Sequence, residues 1–330
     1  MGNNSTKQTD RKSKSCTVLT DHCEAEVCEQ GEAELPGRLV SCTKNPGHAD
    51  FLSVADFSSS HLPEVYQNSR LHDVIDALAG ITALIKVYYT SLARPEFHPS
   101  TNSPYPCYHY RGSDVLRTGT ARLSQVQKFA SVKYRHPCRC HKCQRSTHPS
   151  RTWGTVEFFT ATHIVFDSTE ACRATCVLGY DTPDSTLTYI DGWRVSTADV
   201  KDDWCVLTCV TCDTKLLERL QELKSQFNQL CWREQGSLKS LEEERKLTII
   251  VSHPHGGPKR ISLGRQTQRL VQYNGGHKCT KYTYTTGTCP GSSGAPVYTA
   301  GEERFMYPLA HSGAGPGGNY SGNKREPSGQ

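Results

Sequence analysis

Short β-branched runs bounded by turn residues dominate the second half of this 330-residue chain, and no helical segments alternate with them. The clearest are Trp153 to Thr160, Cys176 to Tyr180, Thr186 to Ile190, Trp204 to Val210 and Leu247 to Ser252. Segments of this kind fit a pleated, partly buried surface. Without crossover helices between them a parallel βαβ sheet is excluded, which leaves an all-β barrel or sandwich. One helix interrupts the series. Leu216, Leu217, Leu220, Leu223, Phe227 and Leu230 mark one face of a segment from about Thr214 to Glu234, followed by a charged run through Lys246.

The first hundred residues read differently. Residues 1–60 mix Ser, Thr, Glu and Asp with few large apolar side chains, so a flexible tail is expected, ordered only locally around Cys23, Cys28 and Cys42. From Pro63 to Leu92, Val65, Leu71, Val74, Ile75, Leu78, Ile81, Leu84, Ile85 and Tyr88 recur mostly at three- and four-residue intervals. That period predicts an amphipathic helix with Pro63 in its first turn and Pro95 past its end. Phe97 to Pro106 is rich in Pro, Ser and Asn and reads as a linker. The expected organisation is a tail (1–60), a helix and linker (61–106), and a β domain (107–330) with a helical insertion near 214–246.

Composition narrows the function classes. No apolar run approaches the roughly 20 residues of a spanning helix, and the N-terminus lacks the apolar core of a secretory signal. A net charge of +5, scattered along the chain, argues against nucleic-acid binding. Sixteen cysteines in a chain this long, without an export signal, are expected as free or metal-bound thiols in a cytoplasmic setting. Met1-Gly2-Asn3-Asn4-Ser5-Thr6 matches the N-myristoylation pattern, with Gly2 as acceptor. One such chain anchors weakly, and Arg11, Lys12 and Lys14, with Cys16 as a second acylation site, would add the support that membrane association needs.

Three segments carry the chemistry. Gly291-Ser292-Ser293-Gly294-Ala295-Pro296 puts a hydroxyl on a tight turn, where the amides of Gly291 and Ser293 would form an oxyanion hole. Phe159 to Phe166 is a strand that ends at His163, and Asp203 leads directly into the strand beginning at Trp204. A serine nucleophile needs an imidazole to take its proton and a carboxylate to orient that imidazole, and these residues supply all three. Their order, His163, Asp203, Ser293, differs from that of subtilisins and α/β-hydrolases. Asp202 is the rival for the carboxylate.

These segments resemble the chymotrypsin-fold serine proteases, most closely the bacterial glutamyl endopeptidases and related intracellular members, over about Trp153 to Gly322. Thr160-Ala161-Thr162-His163 matches the family's Thr-Ala-x-His, Asp203 its Asp before a hydrophobic strand, and Gly291 to Pro296 its Gly-x-Ser-Gly-x-Pro. The resemblance implies a mainly β, double-barrel fold and a serine endopeptidase acting on protein or peptide substrates, with no cofactor required for catalysis. Ser252-His253-Pro254-His255-Gly256 is similar to the turn opening the second barrel, and Tyr307 to Gly313 to the strand lining the primary pocket. On that strand His311 corresponds to a substrate-reading histidine, followed by Ser312 and Gly313, while Thr288 would supply a hydroxyl on the opposite wall. Gly287 stands where an Asp would select Lys or Arg. The implied preference is therefore for Glu or Gln before the cleaved bond. Ser292 replaces the Asp that pairs with a new N-terminus in digestive members, so activation by N-terminal insertion is not expected.

Cys138-Arg139-Cys140-His141-Lys142-Cys143 offers three soft ligands within one loop. A structural zinc would need a fourth, for which His148, Cys172 and Cys176 are candidates. Cys205 and Cys209 face the same way along a strand and are expected in a core. Two alternatives to an active enzyme stand open: a catalytically silent, membrane-tethered interaction module on the same fold, and a zinc-dependent adaptor.

Overall fold

The computed structural model describes residues 23–67, 70–99, 103–129, 136–238, 246–274, 277–302, 309–315, 318–322 and 324–325. Two short strands come first, β1 (Glu26–Cys28) and β2 (Phe51–Ser53). The next six are β3 (Thr82–Val87), β4 (Leu116–Phe129), β5 (Trp153–Thr160), β6 (Ala174–Leu178), β7 (Thr188–Asp199) and β8 (Trp204–Thr211). They pair antiparallel in the order β4-β3-β6-β7-β8-β5, and β4 pairs again with β5, so the sheet closes into a barrel. Closure removes the sheet edges, which would otherwise present unpaired amides and carbonyls.

A second antiparallel sheet runs β12-β9-β10-β11-β14-β13, from β9 (Leu247–Ser252), β10 (Arg260–Asn274), β11 (His277–Tyr284), β12 (Val297–Thr299), β13 (His311–Gly315) and β14 (Gly318–Ser321). A bridge between Pro296 and Ala310 brings its two ends together, with Val297 N donating to Leu309 O at 3.0 Å and His311 N to Ala295 O at 2.8 Å. The architecture is thus a double β-barrel of the chymotrypsin-like kind. The helix Thr214–Leu238 links the barrels as its spacing predicts. Leu217, Leu220 and Phe227 are buried on its inner face, against β4, β5 and a second helix, Leu71–Gly80.

Two expectations give way. The amphipathic helix predicted as far as Leu92 ends at Gly80, and Thr82–Val87 is instead the barrel strand β3. Its residues are almost all buried, so it shows no polar alternation, and Leu84 and Ile85 continue the helical spacing by coincidence. The barrel therefore begins inside the segment read as helix and linker. The expected tail is also structured from Cys23 onward: β1 pairs with the start of β4, and β2 pairs with β10, so residues 23–53 join both barrels. Gly2 and Cys16 lie outside the described residues.

Candidate active site

The first barrel ends β5 at Thr160, and a tight turn in which Ile164 N donates to Ala161 O at 3.1 Å carries His163 into the interface between barrels. Asp203, in the left-handed region at φ 52°, precedes β8. Its carboxylate lies 2.8 and 3.0 Å from His163 Nδ1 and accepts the His163 amide at 3.1 Å. Ser312 Oγ donates to the same carboxylate. Burial alone would raise the Asp203 pKa, but the charge and hydrogen bonds of His163 and the Ser312 hydroxyl hold it below the usual carboxylate value. Asp202, although buried, is not the partner of the imidazole.

The second barrel supplies Ser293 on a turn that depends on two glycines at positive φ, Gly291 at 92° and Gly294 at 84°. A Cβ on Gly294 would lie 2.1 Å from Thr160 Oγ1 and 2.2 Å from Thr120 O, so the Ser293 turn seats directly on the first barrel. Thr120 N donates to Ser293 O at 2.8 Å, and Thr120 Oγ1 to Gly291 O at 2.8 Å, which ties the turn across the interface. Ser292 is buried, and its hydroxyl is hydrogen-bonded to Ser252 Oγ at 3.0 Å.

His163 is held from behind by a buried ionic cluster that no local motif in the sequence signals. Glu170 accepts Arg94 Nε at 2.6 Å and Arg117 Nη2 at 2.7 Å. Arg94 Nη2 in turn donates to His163 O at 3.0 Å, and Arg117 Nε to Ile164 O at 3.0 Å. Glu170 would have a raised pKa from burial alone, but the two guanidiniums bring it down to about 2.

The cleft holds part of the chain itself. Cys23 and Glu24, just before β1, lie against His163, Asp203 and Ser293; Cys23 Sγ is within 4.8 Å of ligand atoms of both His163 and Asp203. Glu24 N donates to Ser312 O at 3.4 Å, while Ser293 Oγ donates to Glu24 O. The serine hydroxyl is thus turned to the Glu24 carbonyl, and His163 Nε2 is buried without a hydrogen-bond partner. Beyond Ala25, Glu26 pairs with Thr118 at the start of β4.

The Glu24 side chain fills the pocket predicted from His311 and Thr288. Its Oε2 lies 3.3 Å from His311 Nε2 and accepts Thr288 Oγ1 at 3.3 Å. His311 Nδ1 is hydrogen-bonded to Tyr284 OH at 2.7 Å, which orients the ring toward the carboxylate. A residue from the expected tail completes the pocket: Lys44 Nζ pairs with Glu24 Oε1 and also donates to Thr288 Oγ1 at 2.8 Å and Asn319 Oδ1 at 2.9 Å. Burial would raise the Glu24 pKa, yet His311 and Lys44 hold it low; burial holds His311 below the ordinary imidazole value. Ser312 and Gly313 lie on β13 beside the cleft.

Cys138, Cys140 and Cys143 meet a fourth thiol, Cys212, with Cys140 Sγ and Cys212 Sγ 3.8 Å apart. None of the three expected fourth ligands is there. Cys176 lies 3.6 Å from Cys209 in the barrel core, Cys172 donates to Trp193 O, and His148 is bonded to its neighbour Thr147. The end of β8 carries Cys212 to the loop, which spacing along the chain could not reveal. A tetrahedron of sulfurs about 2.3 Å from zinc has edges of about 3.8 Å, so the thiol separation fits that ion. Cys205 and Cys209 are buried in the core as expected.

Residues 149–324 match the family described as lysyl endopeptidase, C-terminal domain. No curated protein matches the chain. Among solved structures, the active form of the Rv3671c protease from M. tuberculosis is similar at 13% identity and a TM-score of 0.37, over 77% of this chain and 79% of that one. Deg5 is similar at 10% identity and a TM-score of 0.40, over 79% and 90%.

Proposed function

This chain belongs to the lysyl endopeptidase C-terminal-domain family and is a serine-protease-like hydrolase; from that premise we propose that it is an endopeptidase cleaving after Glu, or Gln, through Ser293, His163 and Asp203. The observation that carries this reading is Glu24, seated with its backbone at Ser293 and Ser312 and its carboxylate against His311, Thr288 and Lys44. A pocket that already holds the Lys44 ammonium disfavours a lysine side chain, whatever the family description says of other members.

In the proposed reaction the Ser293 hydroxyl swings from the substrate carbonyl to His163 Nε2, which takes its proton as Oγ attacks the carbonyl carbon. Asp203 holds the proton on Nδ1 and stabilises the imidazolium. The amides of Gly291 and Ser293 receive the oxyanion, His163 then protonates the leaving amine, and water hydrolyses the ester. Fluorophosphonate labelling tests this, with Ser293→Ala expected to abolish it and Asp203→Ala to lower turnover by roughly 10⁴-fold. Full activity in Asp203→Ala with loss in Asp202→Ala would reverse the carboxylate assignment. A peptide-library profile dominated by Lys, Arg or aromatic residues, or an unchanged Glu preference in His311→Ala, would overturn the specificity.

Two further parts belong to this reading. A structural zinc at Cys138, Cys140, Cys143 and Cys212 would brace the loop before β5, and elemental analysis of reduced, chelator-free protein tests it. Myristoylation of Gly2, with the basic residues and Cys16, would bring the enzyme to the cytosolic face of a membrane; an intact mass showing an unmodified or acetylated N-terminus would refute it. The catalytically silent module is the second reading, favoured by the filled cleft, and would be supported by a chain that neither labels nor cleaves.

A further inference from the structure

We propose that Cys42, His48, His255 and Cys289 form a zinc site separate from the four-cysteine cluster. Their ligand atoms all lie within 4.8 Å of one another. Cys42 Sγ and Cys289 Sγ are 3.6 Å apart, and Cys289 Sγ is 3.5 Å from His48 Nε2. Zinc with two sulfurs at about 2.3 Å and two nitrogens at about 2.0–2.1 Å sets tetrahedral edges of about 3.4–3.8 Å, which these separations match. Borderline-soft donors of this mixture select zinc over magnesium or calcium.

The surroundings are those of a ligand set. His255 Nδ1 is bonded to the buried carboxylate of Glu26 at 2.6 Å, leaving Nε2 buried without a hydrogen-bond partner. A carboxylate on one imidazole nitrogen fixes the tautomer in which the other binds metal. The sulfurs have amide donors: Asn45 N reaches Cys42 Sγ at 3.4 Å, and Asn45 Nδ2 reaches Cys289 Sγ at 3.1 Å. Cys42 and His48 lie on the N-terminal segment, His255 on the turn after β9, and Cys289 on the loop that leads to Ser293. The ion therefore clamps the segment carrying Lys44 onto the second barrel and braces the nucleophile loop.

The full chain carrying Cys138→Ser and Cys143→Ser, which removes the other thiol cluster, is expected to retain about one zinc per chain. Cobalt(II) added to that protein should give thiolate charge-transfer and tetrahedral d–d absorption, lost on adding Cys42→Ser. In wild type, zinc X-ray absorption should show imidazole scattering, a readout that needs no variant to fold. Folded double variant with less than about a tenth of a zinc per chain, purely sulfur-ligated zinc in wild type, or a Cys42–Cys289 disulfide by peptide mapping would each overturn the site.

A different observation carries a second inference, which rests on the proposed role of Ser293. The geometry points to Glu24–Ala25 as a bond this enzyme cuts in its own chain. Glu24 fills the specificity pocket, its carbonyl meets Ser293 Oγ, and Glu26 continues along β4 as an extended substrate would. Attack by Oγ on the Glu24 carbonyl carbon passes the serine proton to His163; the C–N bond to Ala25 breaks, and His163 returns that proton to the new amine. Water then releases residues 1–24 and with them the Lys44–Glu24 pair, while the chain from Ala25 keeps Lys44 on Thr288 and Asn319 and Cys42 beside Cys289. Intact mass should show a wild-type N-terminus at Ala25, formed at a rate independent of protein concentration, and uncleaved chains for Ser293→Ala and Glu24→Lys. Wild type that cleaves an added Glu peptide while Glu24–Ala25 stays whole, or cleavage whose rate rises with concentration, would overturn self-cleavage alone. Failure to cleave any peptide would instead remove the proposed function.

Discussion

Replacing Glu170 by Gln keeps the side-chain volume and removes the negative charge from between two buried guanidiniums. The carboxylate accepts Arg94 at 2.6 and 2.8 Å, Arg117 at 2.7 Å, and the amides of Ser91 at 2.9 Å and Phe166 at 2.8 Å. Breaking a buried pair by removing one partner costs about 3–5 kcal/mol, because the other charge stays buried and uncompensated. The pKa leads to a similar figure. Glu170 is lowered from 4.5 to about 2, which at about 1.4 kcal/mol per pH unit is ~3 kcal/mol. Because the folded pKa is depressed, that stability is present above about pH 4.5 and is lost as pH falls through about 2. Urea unfolding near neutral pH is expected to show Glu170→Gln destabilised by about 3 kcal/mol. Turnover should fall as well, since Arg94 and Arg117 hold the His163 and Ile164 carbonyls. A loss under about 1 kcal/mol, the range of an exposed pair, would refute the claim that this cluster braces the imidazole.

Lys44→Met removes the charged partner of the bound carboxylate, and a charge-assisted hydrogen bond is worth about 1.5–3 kcal/mol. The kcat/KM ratio of Glu to Gln peptides should therefore fall by roughly 10- to 100-fold; an unchanged ratio would place Lys44 outside the pocket's recognition. Gly294→Ala drives a methyl to within 2.1 Å of Thr160 Oγ1 at a φ of 84°, so soluble yield and thermal midpoint should both drop. Wild-type stability would contradict that contact. His253 is buried, hydrogen-bonded through Nδ1 to Gly257 O at 2.9 Å, and lowered to about 3 by burial and then by the Lys259 charge. It stays neutral in the fold while the unfolded chain takes up a proton, so its contribution is full above about pH 6.5 and declines as pH falls toward 3. Its ring NMR signals should be flat between about pH 5 and 8, and a titration near the ordinary imidazole value would show it exposed.

What was legible in the sequence was local. The strands Trp153–Thr160 and Leu247–Ser252 and the helix from Thr214 are legible at their observed starts, because β-branched runs and a repeated leucine face report their own periodicity. The segment after Gly80 is not, since a strand buried on both faces carries no alternation to distinguish it from a helix. His163, Asp203, Ser293, His311 and Thr288 were legible for another reason: each sits in a short motif whose glycines, strand ends and neighbours are themselves in the sequence.

Lys44, Glu24, Cys212, Glu170 and the Cys42–His48–His255–Cys289 cluster had no such signature. Each acts through a partner distant in the chain: Glu24 meets His311, Cys42 meets Cys289, and Arg94 meets Glu170. A polar residue in a tail-like composition looks solvated until barrel closure and two short strands bury it. The strand-rich class and the short motifs follow from backbone preference and neighbouring residues, and so can be read along the chain. What fills the cleft, which cation meets the Glu24 carboxylate and which thiols converge appear only once the chain is folded. Those depend on contacts between residues from 20 to 287 positions apart, and periodicity along a chain holds no record of such contacts.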